Sequence, residues 1–331
     1  MTVRIRNRRL LGALCIAMLA AGLAACAPRV QSFGPNTQEA VLTDDAVVTR
    51  DGKRLPLAVW QPAAPPRAVV VALHGFNMYR NYFADLGPWL ADRGIATYAY
   101  DQRGFGGAPE AGIWGGDAAM AADLADVVAL VKRRYPSVPV HLLGVSMGGA
   151  VSILALAADD PPDVDSVVFV APAVWGGRTM HPAARFGVWL AAHTMPWNRA
   201  TGQGLRRRPT DNIALLRRLG QDPLVITSTR IDAVYGITGL MDRAFSAIPQ
   251  VRTRALVLYG ARDEIVPARP VREMLSALRA PHRLAVYDDG WHMLLHDLQA
   301  ERVWTDIVAW IDDSDAALPS GAERDAGAWQ P

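Results

Sequence analysis

Ser146 stands in "LLGVSMGG" (142–149), with Gly144 and Gly148 two positions to either side and Gly149 next. A serine that only fills space needs no small neighbours. A serine that must project clear of the backbone does. It sits on a sharp turn whose flanks come so close that a Cβ would clash, and glycine removes that Cβ. Residues 138–145, "VPVHLLGV", read as a buried strand, and the pattern predicts a helix over 147–158. The N-terminus of that helix aims unpaired N–H groups at the serine and favours negative charge there. The chemistry implied is nucleophilic attack with an oxyanion site alongside.

A serine hydroxyl is protonated at neutral pH. It needs a base within reach, and the base needs an orienting acid. Seven histidines are available. His292, in "DDGWHMLLHD" (288–297), follows the last predicted strand, and His296 falls four residues on, on a predicted short helix. His292 is the better base because it sits nearer the strand end. His141 lies inside a predicted buried strand, His181 and His193 in an insertion, and His282 at the wrong edge. His74 reads as a loop-holding residue. For the acid, Asp263 in "LVLYGARDEIVP" (256–267) lies just past a predicted strand, ahead of Glu264, Asp288 and Asp289. The turn "LHGFN" (73–77) should supply the other oxyanion donor. The expected pair is the backbone N–H of Phe76 and of Met147.

Six strands are predicted, at 67–75, 95–104, 138–145, 164–172, 253–260 and 282–290. Helices are predicted at 79–92 with Pro88 at a break, 117–134, 147–158, 268–279 and about 299–312. The alternation implies a mostly parallel sheet with helices on both faces, an α/β class fold. Residues 173–250 lack it and read as a helical cap over the C-terminal edge of the sheet, where open α/β sheets place ligands. The core is then 41–172 and 251–312. Within the cap, Trp175, Trp189, Trp197, Tyr235 and Met241, with Phe186, Met195 and Leu240, could line an apolar pocket. Two or three are expected to face a ligand, and the rest to form the cap's own core.

The chain has 331 residues, about half of them apolar, and a net charge of +2. That charge is too small for a nucleic-acid footprint. No Cys/His spacing suits zinc, and no metal or organic cofactor is implied. Arg4, Arg6, Arg8 and Arg9 precede an apolar run over 10–23, short of the roughly 17–25 residues of a membrane span. It reads as a signal peptide, 1–25. Leu23-Ala24-Ala25-Cys26 resembles the lipobox of bacterial lipoproteins, which predicts lipidation of Cys26; Arg8-Arg9 leaves a twin-arginine route open. Loss of 1–25 removes four Arg and takes the charge from +2 to −2. Cys15 leaves with the signal. Residues 26–40 read as lipidated Cys and tether, and 313–331 as a loose tail. The expected location is the bacterial cell envelope, lipid-anchored, with the outer membrane or periplasmic face favoured.

"HGFN" (74–77), "YAYDQRGFGG" (98–107), "GVSMGG" (144–149), "GARDEIVP" (260–267) and "GWHMLLHD" (290–297) together resemble the α/β-hydrolase superfamily. The likeness is to its monoacylglycerol lipase / lysophospholipase-like group, also called serine aminopeptidase-like hydrolases. It spans about 41–312, with "TGQGL" (201–205) and "QDPLV" (221–225) in the cap. The resemblance implies Ser146 as nucleophile, Asp263 as acid, His292 as base, and Phe76 and Met147 as oxyanion donors. It implies a serine hydrolase acting through an acyl-enzyme. "HGFN" departs from the HGGG run of many other esterases. An apolar cap and a lipid anchor point to esters of monoacyl lipids. A short-chain carboxylesterase, a peptidase and a catalytically silent binding protein are the other expectations.

Overall fold

The computed structural model describes residues 27–176, 180–201 and 207–329. The predicted signal peptide, Cys26 and most of "TGQGL" lie outside the described residues. The chain opens on three strands the sequence pattern did not announce: β1 (Val41–Leu42), β2 (Ala46–Val48) and β3 (Arg54–Trp60), paired antiparallel. Two are too short to show a period.

Continuous aliphatic runs then build the centre. β4 (Ala68–Leu73), β5 (Ile95–Tyr100) and β6 (Val140–Val145) are buried along their whole length. Burial on both faces is why they read as runs rather than alternations. A 3₁₀ turn (Arg80–Phe83) and α1 (Leu86–Ala91) replace the single helix predicted over 79–92. The break falls at 84–85, because Pro88 sits in the first turn of α1, where a missing N–H costs nothing. α2 (Asp117–Arg134) matches its predicted bounds, with Asp117 in its first turn and Lys132, Arg133 and Arg134 in its last. These charges complement the helix dipole.

α3 (Met147–Leu156) and β7 (Ser166–Val170) follow. The cap comprises α4 (Pro182–Thr194), β8 (Arg199–Thr201), α5 (Ile213–Gln221), β9 (Ser228–Arg230) and α6 (Ile231–Ala247). β8 and β9 form a two-stranded antiparallel ribbon that the sequence did not signal. The core resumes with β10 (Ala255–Gly260), α7 (Ala268–Ala277), β11 (His282–Tyr287), α8 (Ala300–Asp312) and β12 (Glu323–Arg324).

Among the described residues, the main sheet has ten strands in the order β1-β2-β3-β5-β4-β6-β7-β10-β11-β12. β5, β4, β6, β7, β10 and β11 run parallel. The chain leaves β4 to one side for β5 and returns on the other side for β6. That reversal opens a crevice at the C-terminal ends of β4 and β6. His141 lies in β6 as a structural residue: its Nδ1 is 2.8 Å from Ser166 Oγ, which also accepts from Trp310 Nε1 at 2.9 Å.

The described parts of the expected tether and tail are packed on the core. The tail adds β12 antiparallel to β11, and Val286 N–H donates to Ala322 O at 2.8 Å. Leu318 and Ala322 are buried, Ser320 N–H donates to Asp306, and the Trp329 ring meets Tyr259. The edge of β11 offered unpaired backbone groups, and this short strand covers them. Within the expected tether, Val30 bridges Trp114 and Gln31 is buried. Polar composition hid both contacts, because they are made by single side chains and backbone rather than by an apolar stripe.

Candidate active site

Three loops meet at the crevice. Ser146 links β6 to α3 with φ 50° and ψ −110°. A non-glycine residue there is strained, and the surrounding structure must hold it. Ser146 N–H donates to Val170 O at 2.9 Å, and Ser146 O accepts from Gly149 and Ala173. The flanking glycines have the reason expected of them. A Cβ on Gly148 would lie 2.3 Å from Leu73 O, and one on Gly144 would lie 2.7 Å from the Cα of Gly149. Both obstacles are backbone.

The candidate base and acid come from the loops after β11 and β10. His292 Nδ1 lies 2.8 Å from Asp263 Oδ2. The other oxygen of Asp263 accepts from Ile265 N–H at 2.7 Å and Val266 N–H at 2.9 Å. The carboxylate is buried, both oxygens are engaged, and its orientation is fixed. As an acceptor it places the imidazole proton on Nδ1, which leaves Nε2 as the basic nitrogen. The other candidates are committed elsewhere. Glu264 accepts from Arg208 N–H at 2.6 Å, and Asp288 and Asp289 pair with Arg324 and Arg262 at the surface. His296 is on a turn, not a helix, and its Nε2 lies 2.8 Å from Tyr82 O.

The turn after β4 packs on the serine. A Cβ built on Gly75 would meet Ser146 Cβ at 3.5 Å. Phe76 follows, its ring against Phe105 and Trp114. Met147, first residue of α3, has no acceptor four residues back within its helix. His74 holds the turn: Gln102 N–H donates to its Nε2 at 3.0 Å, and its Nδ1 lies 2.8 Å from Gly75 O. Burial pushes the His74 pKa down to about 4, and that of His141 likewise. Both imidazoles take up their proton on unfolding near pH 6.5, so stability is full above that pH. It is lost as pH falls from 6.5 through 4, by about 3 kcal/mol for each group. Thermal melts between pH 7.5 and 4 check this, and His141→Asn should flatten the slope.

The five cap residues expected at one pocket do not share it. Trp175 and Met241 are half-buried against the main core, and Trp197 is exposed. Trp189 and Tyr235 face a common cleft of about 700 Å³, together with Trp114, Phe186, Pro28 and Val30. Trp114 links it to Phe76. Among the described residues, no group of three or more His, Cys, Asp or Glu could hold a metal ion.

The profile of the family described as "Serine aminopeptidase, S33" matches residues 64–299. The chain belongs to that family. It is 26% identical over 282 residues to the monoglyceride lipase of Homo sapiens, covering 82% of this chain and 90% of that one. It is 24% identical over 279 residues to the monoacylglycerol lipase of Mycolicibacterium smegmatis, covering 78% and 93%. Among solved structures, a soluble variant of monoglyceride lipase from Saccharomyces cerevisiae, in complex with a substrate analog, shares the fold. Its TM-score is 0.69 at 18% identity, over 87% of this chain and 98% of that one. The α/β-hydrolase architecture inferred from the motifs is the one observed.

This S33 hydrolase also uses residues that sequence reasoning passed over. Gln102 locks the turn after β4 from both sides, since its side-chain amide donates to His74 O at 2.8 Å. Its buried neighbour Asp101 accepts from Arg80 N–H and Gly107 N–H at 2.8 and 2.7 Å. The signal was the whole "DQRGFGG" run, whose polar residues follow a buried strand. Asn77, at φ 65°, ties the turn to the cap: its side-chain amide donates to Thr229 Oγ1 at 2.7 Å, and its carbonyl accepts from Ile226 N–H. Asn tolerates left-handed backbone better than most residues. One substitution tests the packing of the serine turn. Gly148→Ala should cost about 1–3 kcal/mol or more, because backbone rather than a flexible side chain must move. The melt should show that loss together with a fall in ester turnover.

Proposed function

We propose that this chain is a serine hydrolase that cleaves carboxylic esters of monoacyl lipids, monoacylglycerol or lysophospholipid. The observation that carries the proposal is the Asp263–His292 pair at the sheet edge where Ser146 is held on a strained turn. Ser146 Oγ attacks the ester carbonyl as His292 Nε2 takes its proton. Asp263 keeps the imidazole oriented and stabilises its cation. The carbonyl oxygen, now negative, accepts from the N–H groups of Phe76 and Met147. Such donors are worth about 3 kcal/mol each in the transition state. His292 returns the proton to the leaving alcohol, and the acyl-enzyme on Ser146 is then hydrolysed by a water that His292 activates.

The acyl chain would occupy the cleft beside Trp189 and Tyr235, which Trp114 connects to the oxyanion turn. The relatives' names support the lipid-ester class. Lipidation of Cys26 would keep the enzyme at the surface of the cell envelope, where such substrates reside. Turnover of p-nitrophenyl esters of increasing chain length, beside 1-monoacylglycerol and lysophosphatidylcholine, tests the substrate. Rates that rise with chain length and extend to the lipids are expected. Turnover confined to short esters would replace the lipid reading with a general carboxylesterase.

A further inference from the structure

His292 rides on a loop. Residues 288–299, between β11 and α8, form turns but no helix or strand. A loop holds a side chain to the tolerance that chemistry needs only where other groups fix its backbone. The two amides that flank His292 are both held. Trp291 N–H donates to Asp297 Oδ2 at 2.7 Å, and Met293 N–H donates to Pro209 O at 2.9 Å. Asp297 is in turn held by the cap: the fully buried Thr210 Oγ1 donates to Asp297 Oδ1 at 2.6 Å. Both anchors therefore trace back to residues 209 and 210.

The same cap segment is stitched to the rest of the loop and to the acid. Leu298 N–H donates to Asp211 Oδ1 at 2.8 Å, and Asn212 Nδ2 donates to His296 O at 3.0 Å. Asn212 Oδ1 also caps α5, accepting from Leu215 N–H at 3.0 Å, so one side chain joins the start of that helix to the loop of His292. The Arg208 guanidinium lies 4.8 Å from the centre of the Trp291 ring, and Arg208 N–H donates to Glu264, next to Asp263. Asp297 is the pivot. Burial pushes its pKa up, and the Thr210 hydroxyl and the Trp291 N–H oppose that by bonding to the charged form. One carboxylate oxygen takes the cap residue and the other takes the neighbour of His292, so Asp297 bridges the two.

We propose that Thr210 and Asp297 are positioning residues for His292, and that the cap segment 207–212 thereby completes the acid–base pair of the core. The inference rests on the reading of Ser146, Asp263 and His292 as the hydrolytic site. The Thr210 hydroxyl fixes Asp297, Asp297 fixes the Trp291 amide, and the imidazole one residue on is aimed by that backbone. A misplacement of about 1 Å in such a group can cost about 10²-fold in rate. A cap that only binds substrate would matter least for an ester with no acyl chain to bind. A cap that aims His292 matters for every ester, including the smallest.

The test is hydrolysis of p-nitrophenyl acetate by the full chain, with reactive serine titrated by a fluorophosphonate so that kcat is counted per titrated site. Thr210→Val keeps the size and removes the hydroxyl. It should lower kcat per site about ten-fold or more and leave KM within about two-fold. Thr210→Ser restores the hydroxyl and should recover most of that rate. Arg208→Ala changes an exposed residue, releases the Trp291 ring, and should lower kcat per site by a few-fold; it decides the outcome if Thr210→Val yields no titratable serine. A purely structural role predicts fewer titratable sites, each turning over at the natural rate, and that result would overturn the positioning. A loss confined to KM, or Thr210→Ser as impaired as Thr210→Val, would overturn it too. His292→Ala is run beside them. If it turns over like the natural chain, the hydrolytic reading fails and this inference falls with it. If His292→Ala is inactive while Thr210→Val and Arg208→Ala keep the natural kcat, the positioning alone fails.

Discussion

Ser146→Ala is expected to abolish ester hydrolysis, with kcat falling roughly 10⁴- to 10⁶-fold. The residual rate would be what binding and the oxyanion donors provide without a nucleophile. The folded state should be little affected, because the main-chain bonds of Ser146 to Val170, Gly149 and Ala173 do not involve its hydroxyl. A fluorophosphonate probe should label the natural chain and not the variant. Ser146→Gly extends the experiment. At φ 50° and ψ −110° a Cβ is unfavourable, so glycine should raise stability by about 1 kcal/mol while activity stays absent. Strain held in place for chemistry predicts that pairing of gain and loss. Turnover in either variant close to that of the natural chain would end the proposal that Ser146 is the nucleophile.

The second large effect separates two histidines four residues apart. His292→Ala should cost as much as losing the serine, because the two act as one unit. Asp263→Asn should cost about 10⁴-fold, since an amide in that position selects the wrong imidazole tautomer. His296→Ala should leave kcat within a few-fold. It should lower stability by about 1–3 kcal/mol, because it removes the imidazole partner of the Tyr82 carbonyl in a buried contact. Thermal melts beside steady-state rates on one ester distinguish the two roles. Loss of activity in His296→Ala with His292→Ala still active would reverse the assignment.

The site was legible because its chemistry demands local patterns. A strained serine turn needs glycine at 144 and 148 whatever surrounds it, and both positions would clash with backbone. The strands beneath it were legible as buried aliphatic runs, and α2 as a period with charged ends. The candidate acid and base were legible by position, each in the loop after a strand that had to end at the same edge. Less of the cap could be read. Its aromatic residues divide between the main core, a cleft and open surface, and composition is the same in all three places.

The sequence by itself determined the α/β layering, the serine turn and the residues competent for base and acid. Each of these is set by contacts within a few neighbours, or by a hydrophobic period along one element. Only the tertiary structure decided that the Asp263 carboxylate lies 2.8 Å from His292 Nδ1, that Gln102 locks the turn after β4, and that residues 29–31 and 318–329 pack on the core. Those outcomes depend on which backbone groups still need partners once the sheet has assembled, such as the open edge of β11 and the carbonyls of Pro109, Ile113 and Trp114. A buried polar group must find a partner wherever one is within reach. The partners lie far apart along the chain, 203 residues for Arg29 and Asp232 and 214 for His296 and Tyr82, and no local pattern records them.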